Sequence, residues 1–208
     1  RIYYMAETDT YLTIKAFSQG VYKEKGSTFI AIAHPVRSVA DIKAILEEAR
    51  KEHHGARHHC YAYMLGQKRD TWRTNDDGEP SGTAGKPILG QINSNGLTNV
   101  LVIVVRYFGG RLLGTGGLIN AYRSAAADAL KNCEIAEMKV HDHFRLEFQY
   151  HVMKDVMKIV KDHDLLTTDQ NFDEVCRITV RIASSATDRL LNLFSRIEGL
   201  KTTFLYTD

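Results

Sequence analysis

Val100-Leu101-Val102-Ile103-Val104-Val105 leads without a break into Arg106-Tyr107-Phe108-Gly109-Gly110-Arg111-Leu112-Leu113-Gly114-Thr115-Gly116-Gly117-Leu118. A short, unbroken aliphatic run rich in β-branched residues reads as a central strand buried on both faces. The glycine-rich turn after it delivers the chain into a helix over 118–130. Ala125, Ala126 and Ala129 on that helix allow close packing on a sheet.

Upstream, residues 11–17, 27–36 and 57–65 read as strands. Ser38 and Asp41 form a capping pair that opens a helix carrying Val39, Ile42, Leu46 and Ala49, which Gly55 ends. Residues 67–86 read as a long polar loop, and Pro87 fits the first turn of a short helix toward Asn93. Downstream, the pattern is β-α-β-β-α-β. Strands fall at 140–150, near Leu166, at 174–182 and at 202–206, with helices at 152–163 and 187–197. That order is the ferredoxin-like split βαβ. Ten of the 15 glycines lie between Gly78 and Gly117 and one, Gly199, comes later, which sets a boundary near Met138. The expected architecture is α+β, with domains at 1–138 and 139–208.

The 208 residues carry 27 Lys and Arg against 25 Asp and Glu, a net charge of +2, with 44% hydrophobic residues. Near-neutrality excludes a heavily basic nucleic-acid binder, and the apolar content excludes disorder. The run 100–105 falls far short of the ~20 apolar residues of a spanning helix. Cys60, Cys133 and Cys176 form no CxxC pair, so a thiolate zinc site is not expected, and they suit a reducing cytoplasm. No secretory leader pattern is seen; Met5 reads as a start, and residues 1–4 receive no functional role.

Three segments can carry chemistry. In Asn75-Asp76-Asp77-Gly78-Glu79-Pro80-Ser81-Gly82-Thr83-Ala84-Gly85-Lys86-Pro87, three carboxylates precede small residues and a lysine at a helix start. Backbone N–H groups there can converge on an anion, with Lys86 adding a point charge. A solvated acidic turn is the plainer alternative. A P-loop is excluded, because Pro80 takes its first glycine's place and Pro87 that of its magnesium-binding hydroxyl. The 106–118 turn sets a helix N-terminus at a strand end, where ligands bind in α/β sheets. Alternatively its glycines serve tight packing. The dinucleotide fingerprint fails at Ile119. In Arg57-His58-His59-Cys60, strand alternation puts His58 and Cys60 on one face, Arg57 and His59 on the other. A metal pair of His58 and Cys60 completed by Asp76 or Asp77 is conceivable; a hydrogen-bonded buried histidine is simpler. No metal or cofactor is expected. No G-x-S-x-G elbow or H-E-x-x-H helix occurs.

In the last third, Phe144, Leu146, Phe148 and Tyr150 share one strand face with a core role, as do Cys176, Ile178, Val180 and Ile182. The opposite face is polar. Arg145, Arg177 and Arg181 there are candidate RNA phosphate contacts, with few aromatics for base stacking.

Ala56-Arg57-His58-His59-Cys60-Tyr61-Ala62, the loop 76–87, Val105-Arg106-Tyr107-Phe108-Gly109-Gly110 and Leu112-Leu113-Gly114-Thr115-Gly116-Gly117-Leu118 together resemble the YigZ/IMPACT family over residues 11–133. The resemblance implies a ribosomal protein S5 domain 2-like fold for the N-terminal part. The C-terminal part resembles the ferredoxin-like domain of the bacterial members, itself similar to domains of the translocating elongation factor. The resemblance also implies a cytoplasmic, non-catalytic protein acting in translation or its regulation. Its partner would be RNA, the ribosome or a translation-associated protein. Thr28 stands where many members carry a basic residue. The ligand- or anion-binding candidates are Arg57, His58, His59, Asp76, Asp77, Gly78, Glu79, Gly82, Thr83, Gly85, Lys86, Arg106, Tyr107, Gly109, Gly110, Gly114, Thr115, Gly116 and Gly117. The alternative is an enzyme for a small phosphate- or carboxylate-bearing substrate. Asp76, Asp77 and Glu79 would then supply acid and base groups while Lys86 and Arg106 hold the anion.

Overall fold

The computed structural model describes Asp9–Asp208; the start read at Met5 lies outside the described residues. The elements are β1 (Thr10–Ile14), β2 (Ser18–Glu24), β3 (Ser27–Pro35), α1 (Val39–Glu52), β4 (His58–Leu65), β5 (Thr71–Asn75), α2 (Gly85–Ser94), β6 (Val100–Tyr107), α3 (Gly114–Lys131), β7 (Ile135–Lys139), β8 (His141–Phe148), α4 (Met153–Asp162), β9 (Leu166–Phe172), β10 (Cys176–Ala183), α5 (Thr187–Phe194) and β11 (Lys201–Thr207). The fold class is α+β. The chain forms two compact units, Tyr11–Met138 and Lys139–Asp208, and Asp9 and Thr10 go with the second.

In the first unit the strand order is β2-β3-β6-β4-β5, and β1 pairs with β7. β6 is central and fully buried up to Arg106. Its even positions, Val100, Val102 and Val104, pack with Ile88 and Ile92 of α2 and Ala121, Ala125 and Ala129 of α3. Its odd positions, Leu101, Ile103 and Val105, pack with Ile42, Leu46 and Ala49 of α1. The continuous aliphatic run therefore reflects helices on both faces. The sheet is nevertheless antiparallel at every pairing, so the parallel-sheet rule about strand carboxyl ends does not apply. The Ser38 and Asp41 capping box forms as the sequence predicts.

Three strands appear where the sequence pattern shows none. β5 interrupts the stretch read as a loop at 67–86, and β2 and β7 are added. β2 and β5 are edge strands, paired on one side; the buried positions of β2 are Ser18 and Gly20, which give no apolar alternation to read, and β5 has no buried position.

The second unit has strand order β11-β8-β10-β9, with α4 and α5 covering one face through Val156, Val160, Leu190 and Phe194. Two details depart from the sequence reading. Tyr150 is 70% exposed, because β8 ends at Phe148 and the chain turns into a 3-10 turn. A bulge between Phe204 and Tyr206 brings Tyr206 onto the open face, stacked on His143 with centroids 4.3 Å apart. That face therefore carries an aromatic ring that strand alternation alone would have sent inward.

Gly20 marks the closest approach of β2 to α3: an added Cβ would stand 2.1 Å from the Ala129 nitrogen. Gly90, in α2, has nothing within 4 Å of that position. Gly20→Ala is expected to lower stability by about 3 kcal/mol through backbone displacement. Gly90→Ala is expected to raise it by about 0.5–1 kcal/mol through helix propensity. Urea denaturation of the two variants checks both signs.

Candidate functional site

Arg106 is the penultimate residue of β6, and antiparallel register places Phe29 of β3 and His58 of β4 directly beside it. All three fall on the face covered by α2 and α3. Arg106 is 5% exposed. Its Nη1 lies 2.7 Å from Oε1 of Glu79, which is also buried. Its guanidinium carbon sits 5.4 Å from the ring centres of both Phe29 and Phe108. The Tyr122 hydroxyl of α3 donates to the same Glu79 oxygen at 2.7 Å. Nε2 of His58 is 3.9 Å from it. One carboxylate thus ties the acidic loop to the central strand and to α3. Two charges are removed from water here, and the close geometry with the extra hydroxyl offsets that cost.

The other two acids are also engaged. One Asp76 oxygen accepts from Gly82 N–H at 2.8 Å; the other accepts from Ala84 at 3.1 Å and Gly85 at 2.8 Å. The backbone N–H groups of this loop do converge on an anion, and the anion is the chain's own Asp76 at the N-terminus of α2. Gly85 is needed for this closure, since a Cβ there would lie 2.8 Å from Asn75 nitrogen. Asp77, at φ 41°, accepts from His59 N–H at 2.6 Å through a side-chain oxygen, and its carbonyl accepts from His58 Nδ1–H at 2.8 Å.

A recess of about 380 Å3 opens at this end of the sheet, and Arg57, His58, Gly78, Glu79, Arg106, Gly114 and Thr115 of the predicted residues line it. Other candidates lie elsewhere. His59 and Tyr107 point to the α1 face, where His59 Nε2 is 3.0 Å from the His53 carbonyl and the Tyr107 hydroxyl 2.9 Å from His53 Nδ1. Asp76, Asp77, Gly82, Thr83 and Gly85 build the loop, with the Thr83 hydroxyl donating to the Pro80 carbonyl. Lys86 is exposed beside Gly82 and does not line the recess. Gly109 serves packing, because a Cβ on it would meet Gly26 backbone at 1.9 Å. Gly110, Gly116 and Gly117 lie outside the lining. The sequence reading omitted Phe108, Leu112 and Tyr122 as site residues. For Tyr122 the available signal is one bulky hydroxyl-bearing residue in a helix of small ones.

The conceivable His58–Cys60 metal pair does not assemble. His58 Nδ1 and the Cys60 thiol each donate to backbone carbonyls of the acidic loop, the thiol reaching Asp76 at 3.0 Å. Burial pushes the Cys60 thiol and the Tyr122 hydroxyl well above their ordinary pKa values. In the second unit, exposed Arg145 sits on the open face. Arg177 is paired with Glu147 at 2.9 Å, and Arg181 contacts His141 Nδ1 at 2.9 Å.

Glu79→Gln leaves Arg106 buried without its countercharge and is expected to cost about 3–5 kcal/mol in urea denaturation. The double change Glu79→Leu, Arg106→Met is expected to cost less than the sum of its parts. Cys60 is expected to react with a thiol reagent at neutral pH only on unfolding, because its thiolate is suppressed by burial. Comparing modification with and without denaturant checks this.

Residues 25–130 match the family model described as Impact N-terminal domain. IMPACT family member YigZ of Escherichia coli is 35% identical over 166 residues, covering 78% of this chain and 81% of that protein. An IMPACT family member of Haemophilus influenzae is 38% identical over 151 residues, covering 71% of this chain and 73% of that protein. A solved structure described as that of a hypothetical protein superposes with a TM-score of 0.69 at 29% identity, covering 96% of this chain and 98% of that one. The chain belongs to the IMPACT family.

Proposed function

We propose that this chain is a non-catalytic binding protein that acts in translation or its regulation by contacting RNA. The carrying observation is the asymmetry of the site. All three loop carboxylates are engaged inside the protein, whereas Arg57 and the start of α3 present donors to the recess. An acid or base catalyst needs a proton site free to reach substrate. Asp76 accepts three backbone N–H groups, and Glu79 is shared between Arg106 and Tyr122. This weighs against the enzymatic alternative and favours recognition of an anionic partner.

Translation is the setting that the family resemblance implies. RNA suits the donors, since most protein contacts to nucleic acid go to phosphate oxygens. Exposed Arg145 on the second unit offers a further phosphate contact, and Tyr206 stacked on His143 adds a ring beside it on the open face. A cytoplasmic location belongs to the same reading. Among the described residues no helix is long and apolar enough to cross a membrane.

The small net charge limits the electrostatic footprint to a few phosphates. Single-stranded RNA is expected to bind with a log K against log salt slope of about −2, which corresponds to roughly three contacts. Arg57→Ala and Arg145→Ala are each expected to flatten that slope by about 0.7. Fluorescence anisotropy over a salt series measures this. Capture of ribosomal material that survives nuclease treatment, with no RNA affinity in isolation, replaces RNA with a protein partner.

A further inference from the structure

We propose that the recess at the start of α3 is a phosphoryl-group subsite, which takes the 5′-phosphate of a nucleotide with its nucleoside lying along Phe108 and Leu112. The proposal rests on the RNA-binding reading and narrows it to one group and one pocket. Three observations converge. First, α3 is 18 residues long, begins at Gly114, has no side-chain cap hydrogen bond and has no acidic residue in its first turn. Its first N–H groups therefore have no intrahelical partner and no internal anion. Second, and independently, Arg106 lines the same recess, is 5% exposed, and its Nε has no hydrogen-bond partner among the described residues. The guanidinium is ion-paired to Glu79 through Nη1, and an unmatched N–H on a buried guanidinium is uncommon and marks room for a further acceptor. Third, exposed Arg57 reaches the rim, its guanidinium carbon 5.9 Å from the Phe108 ring centre.

The charge balance fits an anion. Glu79 supplies one negative group, against Arg57, Arg106 and the positive end of α3. A phosphoryl group offers three acceptor oxygens to donors on three separate elements, a match that a planar carboxylate lacks. The volume, about 380 Å3, exceeds what a bare phosphate needs and falls in the range of small-molecule pockets. The excess is walled by Phe108, 41% exposed, and Leu112, 85% exposed. An exposed aromatic and a leucine beside cationic groups suit a base or sugar ring more than an extended polar chain.

The test titrates inorganic phosphate, a ribonucleoside 5′-monophosphate and the unphosphorylated nucleoside into the full chain, followed by calorimetry and by amide shifts of Gly114–Gly116. Thr115→Asp places a carboxylate in the first turn, which stabilises a helix, so this variant is expected to keep or raise Tm. It is expected to weaken monophosphate binding by about tenfold or more through like-charge repulsion. Arg57→Ala is expected to weaken it by about tenfold. Saturable binding of the monophosphate, with shifts centred on Gly114–Gly116 and no binding of the nucleoside, supports the subsite. Absence of saturable binding by phosphate and by the monophosphate overturns it, as does undiminished binding by Thr115→Asp. A 5′-hydroxyl oligoribonucleotide separates the two readings. Monophosphate binding without oligonucleotide binding keeps the subsite and discards the RNA reading. Oligonucleotide binding equal in wild type and Thr115→Asp, with no monophosphate binding, discards the subsite and keeps the RNA reading.

Discussion

The ion pair between Arg106 and Glu79 holds this end of the first unit together. Arg106 is the last fully buried position of the central strand, and its guanidinium lies between two phenylalanine rings. Glu79 belongs to the acidic loop, and the Tyr122 hydroxyl that shares its oxygen belongs to α3. Three segments distant in sequence are thus fixed through one carboxylate oxygen. Such a pair adds little net stability against well-packed apolar residues, but losing one partner leaves a stranded charge. Its value lies in specifying geometry: it sets where α3 begins relative to the strand end, and so defines the recess.

The two glycine-rich loops look alike in sequence and behave differently. In the first, N–H groups from Gly82, Ala84 and Gly85 close around Asp76, so the helix that follows starts on an internal anion. In the second, no acid precedes or enters the first turn of α3. Their glycines also divide by role. Gly85 and Gly109 permit backbone to approach backbone, whereas Gly114 takes a φ of 72° with open space around it. The first loop is therefore self-contained, and the second leaves unmet donors on the protein surface.

Antiparallel register assembles the rest. Because β3 and β4 both run opposite to β6, the starts of two strands meet the end of the third, and Phe29, Arg106 and His58 line up across them. Alternation then sorts neighbours: His58 and Arg106 face α2 and α3, while His59 and Tyr107 face α1 and His53. Adjacent residues in one motif consequently serve opposite faces of the sheet. The carboxylates that look most catalytic in sequence are each hydrogen-bonded within the protein, Asp76 and Asp77 to backbone N–H groups and Glu79 to Arg106 and Tyr122.

Sequence alone determined much of the framework. The aliphatic run at 100–105 required burial on both faces, the capping pair Ser38 and Asp41 located α1, and the β-α-β-β-α-β order specified the second unit, because these are local patterns of periodicity and hydrogen-bonding chemistry. The edge strands β2, β5 and β7 are not legible, since the buried positions of β2 are a serine and a glycine and β5 and β7 have no buried position. The side on which Tyr206 stands is not legible either, because the bulge after Phe204 shifts strand parity without a sequence mark. For the site, the loops and the charged residues stood out, and Arg57, His58, Glu79, Arg106, Gly114 and Thr115 do meet. Tertiary structure alone decided which acid meets which donor. Asp76 and Glu79 carry equal charge three residues apart, and only folded distances show one closing its own loop and the other neutralising Arg106. Charge is written in the residue type, but whether a charge is free depends on partners that strand register and helix placement bring from elsewhere in the chain.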